Sequence, residues 1–105
     1  MQSLCDHMEE EIILKPDEVI EYIKENVEDH DIIEISYNRI YAPGTVLGVM
    51  LEDNFGEENL ILRIHLNGEL VNDTVEVNIH SIKDDLIEIR HTQGDRLITI
   101  LVEDN

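Results

Sequence analysis

Between residues 16 and 28 the apolar positions recur at a helical period. Val19, Ile20, Ile23 and Val27 form one stripe, while Glu21, Glu25 and Glu28 lie largely off it. Pro16 suits the first helical position, and Asp17 and Glu18 complement the positive end of the helix dipole. The spacing predicts a helix over 16–28. From Asp31 the period drops to 2. In "DIIEISYNRIY", Ile33, Ile35, Tyr37, Arg39 and Tyr41 share one parity, with Glu34, Ser36 and Asn38 on the other. "GTVLGVMLED" is almost continuously apolar, the pattern of a strand covered on both faces. "LILRIHL", "TVEVNIH", "LIEIRH" and "RLITILVED" supply four more strands, with Ile87 and Ile89 set against Glu88 and Arg90.

Turn chemistry separates these runs. "APG" reads as a turn with Pro43 in its second position, "DNFGEEN" as a polar connection, Asn67-Gly68 as a hairpin turn, "SIKDD" as a short 3₁₀ link and "TQGD" as a further turn. Connections this short fit antiparallel hairpins and exclude parallel crossovers between successive strands. The expected class is α+β: an N-terminal helix packed on a five- to six-stranded antiparallel sheet, strongly bent or closed as a small barrel. The strand spacing is similar to that of SH3-like and Sm-like barrels. A single domain over 1–105 is expected, with 1–11 flexible, the helix at 16–28 and the sheet over 31–103.

Charge changes the picture more than composition does. The 105 residues carry 25 Asp and Glu against seven Lys and Arg, a net charge of −18. Such a surface repels phosphate backbones and anionic membranes, so neither direct nucleic-acid binding nor membrane association is expected. It attracts cations and basic protein surfaces, nucleic-acid-binding proteins included. Aromatics make up only 4% of the chain, too few for a base-stacking platform. Cys5 is the only cysteine, so no internal disulfide forms, and a cytoplasmic location is expected. No signal peptide or membrane-spanning run is apparent.

Candidate chemistry is sparse. There is no G-x-S-x-G, P-loop or G-x-G-x-x-G, and a cysteine beside a loose terminus is a poor nucleophile, so no enzyme activity is expected. His7, His30, His65, His80 and His91 show no zinc-ligand spacing, and Cys5 with His7 is a bare C-x-H. No catalytic, cofactor or metal residue is assigned. Tyr37, Arg39 and Tyr41 are of the types that dominate interfaces, and His65 and His80 occupy polar faces of neighbouring strands; these five form the expected partner-binding patch. The function expected is a non-enzymatic interaction module for a basic partner protein. The alternative is a divalent-cation or small-ligand binder using acidic loops such as "EDNFGEEN".

Overall fold

The first element among the described residues is a strand rather than a helix. A computed structural model describes residues 8–66 and 73–103. Strand β1 (Met8–Leu14) comes first, then helix α1 (Pro16–Asn26), β2 (Ile32–Tyr37), β3 (Ile40–Asn54), β4 (Glu57–Leu66) and β5 (Thr74–Asn78). The single-turn helix α2 (Ile79–Ile82) and a 3₁₀ turn (Lys83–Asp85) lead into β6 (Leu86–Gln93) and β7 (Arg96–Val102). The strands form one open seven-stranded sheet in the order β1-β7-β6-β2-β3-β4-β5.

This corrects the expected architecture. The sheet is mixed, because β1 pairs parallel to β7 while the other neighbours are antiparallel. It is not a closed barrel, since β1 and β5 lie at opposite ends of the strand order. Strand dominates the described residues, and the one long helix is not the N-terminal element. Short connections do exclude parallel pairing between consecutive strands. They say nothing about the first strand and the last, which the whole intervening chain connects. Residues 8–11, part of the 1–11 segment expected to be flexible, belong to β1. Cys5, His7 and the Asn67-Gly68 turn lie outside the described residues.

Helix α1 begins where Glu18 Oε1 accepts the backbone N–H of Lys15, at 2.8 Å, with Pro16 in the first turn. It ends at Asn26, and Val27 N–H closes the last turn onto Ile23 O at 3.1 Å. Its stripe of Val19, Ile20 and Ile23 is buried in one cluster with the inner face of the sheet. The pairing registers lay that face out in rows. Ile12 sits beside Ile100, then Ile89, Ile35 and Ala42. In the next row Ile98 sits beside His91, Ile33, Gly44 and Leu66.

Three sequence expectations fail for identifiable reasons. "APG" lies inside β3, because Asn38 and Arg39 already make the turn, with Asn38 at φ 53°. Pro43 is tolerated because β3 pairs with β4 only from Gly44 onward, so its missing N–H falls beyond that ladder. Ile87 does not face inward. Pairing steps from Ser36 with Glu88 to Tyr37 with Leu86, so Ile87 is an unmatched bulge residue, and Leu86 is buried instead. Nor is β3 covered on both faces, since Leu47, another bulge residue, and Leu51 are exposed.

Candidate functional site

The five residues of the expected patch are not brought together. Tyr37 packs partly against the core. Arg39 stands exposed in the β2–β3 turn, with no ion pair or hydrogen bond among the described residues. Tyr41 pairs with Ser36 across β2–β3, on the outer face, and its hydroxyl donates to Glu34 there. That hydrogen bond raises the Tyr41 phenol above its ordinary pKa. The strict alternation that grouped the three residues breaks at the turn. His65 lies on β4 between Thr45 and Thr74. His80 belongs to α2, and its Nδ1 accepts the N–H of Leu60 at 2.8 Å. The two histidines therefore sit at opposite ends of the β4–β5 ladder.

A different histidine is central. His91, only 2% exposed, takes a place on the buried face of β6 where the adjacent row holds Ile89. Its Nε2 lies 2.7 Å from Asp31 Oδ2 and donates to that carboxylate. The Tyr22 hydroxyl of α1 is hydrogen-bonded to His91 Nδ1 at 2.7 Å, and the two rings meet edge-on at 85°. Asp31 Oδ2 also accepts from Gln93 Nε2 at 3.0 Å and from the Glu28 N–H at 2.9 Å. Connecting loop and sheet are thereby joined through one carboxylate oxygen, and the helix is tied to them through His91. A cavity of about 10 Å³, room for one water, lies between Tyr22, His91, Gln93 and Arg96.

Carboxylate, imidazole and phenol in series resemble a proton relay in outline. Burial pushes the Tyr22 phenol above its ordinary pKa, with the nearby Asp31 and Glu10 charges adding to this and Arg96 opposing it. An activated phenolate needs the opposite shift. The arrangement instead fixes Tyr22, which forms a wall of the groove on its other side.

That groove, of about 520 Å³, opens where α1 leaves the β1 end of the sheet uncovered. Ile12, Leu14 and Tyr22 supply its apolar lining, and Asp17, Glu18, Glu21 and Glu25 of α1 supply carboxylates. Lys83 bonds Asp17 at 2.8 Å and holds its carboxyl below the usual range. Lys24 reaches Glu21 at 3.4 Å but also pairs with Glu58 of β4. Glu25 has no partner among the described residues, and no Lys or Arg lines the groove. A second exposed feature is the β3–β4 tip, where Phe55 and Gly56 adopt φ 55° and 86° and Phe55 is fully solvent-exposed.

Among the described residues no group of three or more His, Cys, Asp or Glu is placed to hold an ion. "EDNFGEEN" folds as a hairpin tip in which Asp53 Oδ1 accepts the Gly56 N–H at 3.1 Å. No described helix is long and apolar enough to cross a membrane.

His91 shares the parity of Ile89 in the chain, the one sequence signal that could have marked it as inward-facing. Its partners lie 60 and 69 residues away, and no local signal marks them. Residues 10–101 match a protein family described as uncharacterised and conserved in archaea, DUF2097. The chain is also 31% identical over 94 residues to an uncharacterised protein of Methanocaldococcus jannaschii, covering 89% of this chain and 96% of that one. No solved structure matches.

Proposed function

Because the chain belongs to the archaeal DUF2097 family, whose description names no activity, we propose its role from the site alone: a non-enzymatic interaction module that engages a basic protein through the α1–β1 groove. The observation that carries this reading is the apolar lining of Ile12, Leu14 and Tyr22 beneath α1 carboxylates, with no basic side chain in the lining. Charge attracts the partner over long range and speeds encounter; desolvation of the apolar lining supplies the short-range energy. The network through His91 and Asp31 holds Tyr22 in place, so the groove is formed before the partner arrives. A nucleic-acid-binding protein, with a cationic surface suited to a polyanion, is the partner class this charge favours, and the cytoplasm is the proposed location.

Calorimetry of the full chain with a mixed arginine–leucine peptide tests the reading. Affinity should fall steeply from low to high salt, and a Glu21→Lys, Glu25→Lys double variant should weaken binding about tenfold or more. Salt-independent binding, or full affinity in the double variant, would contradict it.

A further inference from the structure

We propose that the outer edge of β1 accepts an extended segment of the basic partner as an eighth strand, antiparallel to β1, with three apolar residues followed by three basic ones. This rests on the function proposed above and specifies how the groove is filled. β1 ends the strand order, and no described strand pairs with its outer side. Met8 N–H bonds Asp95 O at 2.7 Å, and Leu14 O accepts the Glu103 N–H at 2.8 Å, so the even-numbered residues of β1 turn their backbone groups toward β7. Glu11 and Ile13, of opposite parity, turn theirs outward, where an added strand hydrogen-bonds.

The side chains then dictate the incoming sequence. Glu10, Ile12 and Leu14 share the α1 face with Ile98, Ile100 and Val102; Glu9, Glu11 and Ile13 share the outer face with Leu97, Thr99 and Leu101. On both faces carboxylates precede aliphatics along β1. An added strand therefore meets acid beside residues 9–11 and apolar surface beside residues 12–14, where the groove lies. Arg96 lies 3.4 Å from Glu10, and Glu11 has no ion pair among the described residues. Antiparallel pairing is the more stable per residue and reads apolar first, basic second. A second copy of this chain fits poorly. Antiparallel β1–β1 pairing, which opposes the outward-facing odd residues, sets Glu9 on Ile13 and Glu11 on Glu11, and parallel pairing sets acid on acid.

The test titrates the full chain with a Gly/Ser-flanked peptide, Val-Ile-Val-Arg-Lys-Arg, followed by fluorescence anisotropy. Its controls are the block-reversed peptide and a form N-methylated at the alternate residues that would bond β1. The forward peptide should bind about tenfold tighter than either control, and Glu11→Lys should weaken it. Equal affinities for all three, with salt dependence retained, would overturn strand addition while leaving a basic partner at the groove. Tighter binding of the reversed peptide would overturn the antiparallel assignment. No binding by any cationic peptide would remove both proposals. N-methylation alters only the peptide, so misfolding of a variant cannot produce the result.

Discussion

Replacing Asp31 with alanine strands three donors at once. Oδ2 accepts from His91 Nε2 at 2.7 Å, Glu28 N–H at 2.9 Å and Gln93 Nε2 at 3.0 Å, and Asp31 is only 8% exposed. Hydrogen bonds to a charged acceptor are worth about 1.5–3 kcal/mol each, and a buried donor left unpaired costs about 1–3 kcal/mol. Glu28 N–H and the Gln93 amide are partly exposed and recover some of this from water; His91 is enclosed and does not. The expected cost of Asp31→Ala is therefore about 3–5 kcal/mol, a large share of the roughly 5–15 kcal/mol that holds a domain folded. Asp31→Asn keeps the shape and an acceptor oxygen and should cost about 1–3 kcal/mol. Urea unfolding, read as a shift in midpoint at unchanged slope, measures both. A double-mutant cycle with His91→Phe should show coupling of at least about 1 kcal/mol. A cost for Asp31→Ala below about 1 kcal/mol, or strict additivity in the cycle, would refute the claim that this carboxylate joins loop and sheet.

Three further outcomes follow from local geometry. A methyl group on Gly44 would lie 2.3 Å from His65 O and 2.5 Å from Ile64 Cγ2, so Gly44→Ala should destabilise by about 1–3 kcal/mol in the same urea assay. Phe55→Asn should stabilise by up to about 1 kcal/mol, because Phe55 is held at φ 55° with its ring fully in solvent, and asparagine tolerates that conformation better; a loss of stability would show that the ring makes contacts in the fold. Tyr22 has a folded pKa raised above its ordinary 10.0. The unfolded phenol therefore ionises first, and the stabilisation is complete below that value and lost as pH rises through the raised one. Tyr22→Phe should flatten this alkaline decline in urea midpoints; an unchanged profile would contradict it.

The aliphatic face of the sheet was largely legible in the chain. Ile33 and Ile35, and Leu60, Leu62 and Ile64, alternate in sequence and are buried in the structure. The helical stripe at Val19, Ile20 and Ile23 was equally plain and is buried with them. What escaped depends on distant pairing or on single-residue irregularities. "MEEEIIL" has no alternation, and it becomes a strand only because β7 offers a parallel edge. One inserted residue reverses the facing of Ile87, and a turn at Asn38 separates Tyr41 from Tyr37. The groove unites residues of β1 with residues of α1, and its Tyr22 wall is secured by a histidine from β6. A linear pattern describes neighbours along the chain and carries no record of such meetings.

The most direct test of a basic partner at the α1–β1 groove is a ¹⁵N–¹H titration of the full chain with the arginine–leucine peptide. The largest shifts should fall on Glu11, Ile12, Ile13 and Leu14 of β1 and on Glu21, Tyr22 and Glu25 of α1. Shifts centred on Arg39 and Tyr41, or on the Phe55 tip, or no shifts at all, would contradict the account.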